Sequence, residues 1–225
     1  MGEFWRYPLT YSIIVFNSIF FLLSVVLGHS LVDINIKTLV DMGALYGPLV
    51  VLKGEWWRLL SAMFLHGGMT HILMNMVSLY IIGRGLEIYF SKTAYISIYL
   101  LSGLMGGMAS LYMHPESVGI GASGAIFGVF GALAGFLLAR RHQIASGGRE
   151  IMKDFAAILG LNLLLGLSIE SIDMSAHIGG LIVGLIGGFV IAKSPKGLVL
   201  FIGMGIAALI LGAGFLYRYY VQIYM

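Results

Sequence analysis

Four polar side chains stand inside otherwise apolar runs of this 225-residue chain: His71, Asn75, Ser123 and His177. Polar groups are expensive in lipid and are read there as functional by default. Ser123 lies in Gly121-Ala122-Ser123-Gly124, where an apolar run begins. A serine at a helix N-terminus has unpaired backbone N–H groups beside it. Such donors can hold the oxyanion of an acyl-transfer reaction. The string alone is weak, because glycine is frequent in this chain and a helical serine also satisfies itself against a backbone carbonyl. His177 lies in Ala176-His177-Ile178-Gly179-Gly180. It could take the proton of a nucleophilic Ser123 and return it to a leaving amine; the alternative is a structural hydrogen bonder. His71 and Asn75 are four apart, so they share a helical face. Both can donate to a developing oxyanion, or they could form a polar contact between helices. A metal site of His66, His71 and His177 is the weaker reading. There is no His-Glu-x-x-His, and no carboxylate accompanies the histidines within a run. No metal and no cofactor is expected, and the lack of cysteine excludes a thiol nucleophile and a disulfide framework.

The elements that carry these residues follow from composition. The chain is 59% hydrophobic and 10% charged, whereas soluble domains are about 25% charged. So little charge cannot cover a water-facing surface. Lipid is the main solvent, which excludes a cytosolic enzyme, a disordered tail and a nucleic-acid-binding protein. Apolar runs place spans near 11–27, 71–82, 94–112, 123–139, 155–167, 174–192 and 198–217. The first is read as a span rather than a signal peptide, being long for one and lacking a small-x-small site after it. Residues 28–69 form the longest connection. They are apolar enough to lie partly in the membrane interface, with Trp56 and Trp57 at headgroup depth. Thr70 is expected to cap the second span. Tyr217, Tyr219 and Tyr220 are expected to close the last one as an aromatic belt.

Basic residues orient the bundle. With the N-terminus inside, nine of the 13 Lys and Arg fall in inner segments and four in outer ones, as the positive-inside rule requires. The expected fold is therefore all-α: a polytopic membrane helical bundle of about seven spans, N-terminus in and C-terminus out. In that topology His71, Asn75, Ser123 and His177 each lie in the first turns of a span that enters from outside, so all four share one depth. Glycines reinforce the grouping. Gly180, Gly184 and Gly187 fall on the face of His177, and Gly124, Gly128, Gly131 and Gly135 form a row after Ser123. Small residues let membrane helices approach closely, so these two spans are expected to pack backbone to backbone. The ten acids all lie in loops or at span edges. Asp173 is the nearest to the site; it is read as an N-cap of the His177 span, with an imidazole partner as the alternative. A Ser–His dyad is preferred to a triad.

Together, Gly121-Ala122-Ser123-Gly124-Ala125-Ile126-Phe127-Gly128, Ala176-His177-Ile178-Gly179-Gly180-x-x-x-Gly184, His71-x-x-x-Asn75 and Trp57-Arg58 resemble the rhomboid intramembrane serine proteases. The resemblance covers about 57–190 and implies the following. Ser123 matches the nucleophile and His177 the base. His71 and Asn75 match side-chain oxyanion donors, joined by the Ser123 N–H. Gly121 matches the glycine beside the oxyanion hole. Phe127 takes the place of an aromatic that stacks on the catalytic histidine, here without a tyrosine hydroxyl. Trp57-Arg58 match a structural motif of the first loop. Residues 1–192 would be the six-helix catalytic core, the loop 28–69 included, and 193–225 an added C-terminal span. The substrates would be single-span membrane proteins, cleaved within or near their span at small residues. The site would open to the outer face of a prokaryotic inner (plasma) membrane, with span 5 and the loop before span 6 as gate and cap. Nothing in the pattern sets an oligomeric state. An inactive relative that escorts membrane proteins would lack the serine or histidine. A transporter would show internal repeats and polar groups at mid-bilayer.

Overall fold

The computed structural model describes residues 3–142, 160 and 173–225. Among these, six helices are long and apolar enough to cross a membrane. They are α1 (Pro8–Gly28), α2 (Met69–Tyr89), α3 (Lys92–Met113), α4 (Ser123–Arg140), α5 (Met174–Lys193) and α6 (Gly197–Tyr224). The span expected at 155–167 lies outside the described residues.

Helix starts explain how the ends are placed. Pro8 opens α1, where a missing N–H costs nothing. The next free donors, Leu9 N–H and Thr10 N–H, go to the Glu87 carboxylate near the far end of α2, and so does the Thr10 hydroxyl. That one carboxylate closes α1 and α2 into a hairpin. Ser91 caps α3 by accepting from Ala94 N–H. Asp173 caps α5 by accepting from Ser175 N–H and Ala176 N–H. By contrast, no side chain caps α2, which follows Gly68, or α4, which follows Ala122. Thr70 does not cap α2, because the helix begins one residue before it; Gly68 is extended there, with φ 173°.

The second span is longer than its apolar run. Arg84 and Glu87 lie inside α2 rather than in a loop. Arg84 remains there because its guanidinium lies over the Tyr80 ring, 3.8 Å from the centroid, and donates to the Tyr80 hydroxyl. A long basic side chain can reach polar surroundings from within a helix, so the charge does not end it.

The centre of the bundle is the α4–α5 pair. The two helices run parallel. A Cβ on Gly180, Gly184 or Gly188 would collide with the backbone of Gly124, Gly128 or Ala132, and one on Gly131 or Gly135 with that of Leu181 or Leu185. The backbone-to-backbone packing read from the glycine rows is present. Helix α3 joins it: a Cβ on Gly106 would stand 2.6 Å from the Ala176 carbonyl. Buried Leu79, Tyr95, Ile98, Tyr99, Ile126, Val129 and Phe130 fill the core around it.

The first loop is folded rather than loose. Arg58 is 7% exposed. It donates to the carbonyls of Val40 and Ala44 and pairs with Glu55, while its guanidinium lies over Trp57. A two-residue ribbon pairs β1 (Leu45–Tyr46) with β2 (Val118–Gly119), antiparallel. Helix α6 follows α3 in the same direction, with Gly205 on Leu101, Gly212 on Met108 and Tyr220 on Leu111. Tyr217 is exposed as a belt residue would be, but Tyr220 is fully buried. Its hydroxyl holds protein, not the lipid interface.

Candidate active site

The site forms where the N-terminal ends of α2, α4 and α5 meet. Ser123 is the first residue of α4, half-buried. With alanine at the N-cap, no N-cap side chain takes the first N–H groups of this helix. The approach to Ser123 is fixed by Gly121, whose φ is +114°, a conformation that other residues rarely adopt. Its N–H donates to the Ala62 carbonyl at 2.9 Å, tying the segment to the first loop. A Cβ at Gly121 would stand 2.8 Å from His71 Nε2 and 3.8 Å from Ser123 Oγ. Glycine is thus required twice, by backbone angle and by space. The space it leaves is shared by the serine oxygen and the His71 ring.

His71 and Asn75 sit on one face of α2, as their spacing requires. Asn75 is buried, and one of its amide N–H groups donates to the His71 carbonyl at 3.0 Å. That bond leaves the second N–H as the donor available to the site.

His177 is in the first turn of α5 and is 7% exposed. The Phe127 ring lies flat on it, with centroids 4.3 Å apart and planes 10° apart. Phe127 is one turn after Ser123 on α4, so the helix that carries Ser123 also carries the platform for the imidazole. The Cα of Gly124, next to Ser123, faces Ala176 and Gly180, which flank His177. His177 Nδ1 is buried with no hydrogen-bond partner among the described residues. Asp173 therefore does not hold the imidazole. Its carboxylate is engaged by Ser175 and Ala176. Burial pushes the Asp173 pKa up, but hydrogen bonds from Ser110, Ser175 and the Ala176 N–H, with the nearby His114, outweigh it and leave the group below its usual range.

His66 is a neighbour that motif reading used only as a metal candidate. It is fully buried and meets His71 edge to face, with centroids 5.0 Å apart and planes 70° apart. Neither of its ring nitrogens has a hydrogen-bond partner among the described residues. Burial pushes its pKa down to about 3, the neighbouring His71 adds to this, and the Phe64 backbone offsets part of it. Its spacing of five before His71 was the available signal, but only the fold shows that the two rings touch. Among the described residues, no three His, Asp or Glu side chains converge as a metal site needs.

The Rhomboid domain family model matches residues 53–194, more than half of the chain. The chain belongs to the rhomboid family. The match contains Trp57-Arg58, His71, Asn75, Gly121, Ser123, Phe127 and His177, and leaves α1 and α6 outside. Curated relatives agree. Rhomboid protease GluP of Bacillus subtilis is 37% identical over 185 residues, which is 82% of this chain and 34% of GluP. RHOMBOID-like protein 2 of Arabidopsis thaliana is 42% identical over 160 residues, 71% of this chain and 50% of that protein. RHOMBOID-like protein 6, mitochondrial, from the same plant, is 38% identical over 160 residues, 71% of this chain and 52% of the relative. The rhomboid chain thus spans about a third to a half of the length of these relatives. Its apolar helices make it an integral, multi-pass membrane protein.

Proposed function

We propose that this rhomboid is an intramembrane serine endopeptidase acting through a Ser123–His177 dyad. It hydrolyses peptide bonds within or near the spans of single-span membrane proteins. The observation that carries the reading is the pairing of an uncapped helix N-terminus at Ser123 with a buried histidine held flat by Phe127 on the adjoining helix. His177 receives the Ser123 proton through Nε2, the nitrogen that faces away from the buried Nδ1 edge, as Ser123 Oγ attacks the scissile carbonyl. The imidazolium then protonates the leaving amine. Water repeats the cycle on the acyl-enzyme. The developing oxyanion lies in the space at Gly121, with the Ser123 N–H, His71 Nε2 and the second Asn75 N–H as donors. Removing one such donor typically costs about 100- to 1000-fold in kcat. The proton transfer is assigned to the dyad without a third carboxylate, since Asp173 caps α5 and does not meet the His177 ring.

The substrate's own helix must unwind for its carbonyl to become accessible, and water must reach the site. A site at one end of three spans, open to the outer face in the N-in, C-out arrangement of seven spans, answers the second need. Helix-destabilising residues near the cleavage point answer the first, and small residues at that point fit a serine that lies within a closely packed helix junction.

Reconstituted protein and a fluorescent single-span substrate test the reading. Ser123→Ala and His177→Ala are expected to reduce cleavage to background. A fluorophosphonate is expected to label wild type on Ser123 and to label His177→Ala far more slowly. Cleavage that persists in Ser123→Ala would sink the mechanism.

A further inference from the structure

We propose that Tyr220, near the end of α6, is a positioning residue for the loop that carries Gly121 and Ser123, so that the C-terminal helix sets the rate of acyl transfer from outside the rhomboid domain. This rests on the Ser123 reading above.

Tyr220 is completely buried in a helix whose flanking residues, Tyr217 and Tyr219 among them, are less so. Its hydroxyl donates to the Leu111 carbonyl at 2.8 Å and lies 3.3 Å from the Pro115 carbonyl. The Leu111 carbonyl belongs to the last turn of α3, where helix carbonyls lack an intrahelical partner. Tyr220 therefore satisfies a buried acceptor and at the same time grips the turn that leaves α3. Gly47 closes the grip from the other side: a Cβ there would collide with the Tyr220 hydroxyl and the Pro115 carbonyl.

The gripped segments lead to the site. Gly47 follows β1, and Pro115 precedes β2. The ribbon pairs Tyr46 with Val118 at the end next to Tyr220, and Leu45 with Gly119 at the other end. Two residues after Gly119 comes Gly121, then Ser123. The ribbon is thus held at one end by Tyr220 and passes at the other into the segment beside the serine. A second route converges on the same place. Tyr220 and Leu216 share a hydrophobic cluster with Leu45, Leu59, Ala62 and Leu111, and the Ala62 carbonyl accepts the Gly121 N–H. Letting the hydroxyl go would leave the Gly121 segment free to drift relative to His71.

The test compares fluorophosphonate labelling of Ser123 and substrate cleavage in wild type, Tyr220→Phe, Gly47→Ala and the control Tyr217→Phe, all as full chains at a temperature well below their melting points. Tyr220→Phe removes only the hydroxyl. It is expected to slow labelling and kcat together by about fivefold, the equivalent of one ordinary hydrogen bond, with KM unchanged. Gly47→Ala pushes on the hydroxyl from the ribbon side and is expected to slow both in the same way. Tyr217→Phe is expected to match wild type. A purely structural role would lower the melting point and leave the labelling rate of the folded protein alone; that result overturns the proposal. So does wild-type labelling in both Tyr220→Phe and Gly47→Ala. Failure of the underlying serine reading shows separately, as cleavage that survives Ser123→Ala.

Discussion

The α4–α5 seam and the α1–α2 hairpin are both helix pairs in lipid, yet they are held by opposite means. In the seam, glycines bring backbone against backbone, with the Phe127–His177 stack at its N-terminal end. In the hairpin, the Glu87 carboxylate takes two N–H groups and a hydroxyl from the start of α1, and the Thr10 hydroxyl also meets that of Tyr95. A backbone contact has no rotamer to adjust, so it fixes one geometry. A side-chain clasp tolerates movement while adding stability. The proposed catalytic pair sits on the first kind of junction, where Ser123 and His177 would have to stay in register. The clasp lies at the ends of α1 and α2 remote from His71, where register matters less.

The most severe way to break this contrast is to place a methyl in the seam. Gly184→Ala would drive a Cβ into the Gly128 carbonyl. The expected cost is about 3 kcal/mol, the upper part of the overpacking range, together with loss of cleavage. A thermal melt and a cleavage assay check both. An active, fully stable Gly184→Ala would show that the seam is not the register-setting contact. Next comes Glu87→Ala, which removes charge-assisted bonds worth about 2 kcal/mol. Here the melting point is expected to fall while kcat per folded molecule stays unchanged. A kcat loss at low temperature would erase the distinction between the two junctions. The smallest effect at neutral pH concerns His66, beside the site but on the loop. Its folded pKa of about 3 lies below the usual histidine value of 6.5. The unfolded chain therefore binds more protons between those values, and stability falls as pH drops through that window. His66→Phe is expected to flatten the stability profile between about pH 6.5 and 3, as read by melts across pH. An unchanged slope would mean that other groups govern acid sensitivity.

Much of this was legible before any coordinates. Gly180 and Gly184 could be placed on the His177 face by helical period alone, and small residues in lipid have few other uses. Ser123, His177 and His71 are expected at one depth from the orientation that the basic residues imply, and the fold brings the N-terminal ends of their helices together. Helix ends were less readable. Hydropathy stops at Arg84, but the helix continues because that side chain folds back onto Tyr80. Thr70 is a good capping residue by type, yet the extended Gly68 starts the helix before it. Tyr220 looks like its neighbour Tyr219 in sequence; only the approach of α6 to the ribbon separates a packing tyrosine from a belt tyrosine. His66 is a similar case, since its contact with His71 depends on how the loop folds back across Gly67 and Gly68.

The uncapped start of α4 has a further consequence. Helix α5 satisfies its first donors with Asp173, and α3 uses Ser91, but α4 follows an alanine. The N-cap side chain therefore leaves the first donors of α4 open to another acceptor. On the proposed mechanism, a tetrahedral adduct on Ser123 would bring an oxyanion to these donors. In that mechanism these donors bond a developing oxyanion more strongly than a neutral group, and that difference is what lowers the barrier. If the Ser123 mechanism holds, a covalent inhibitor carrying an oxyanion at that point would also act as a cap on α4 and stabilise the fold.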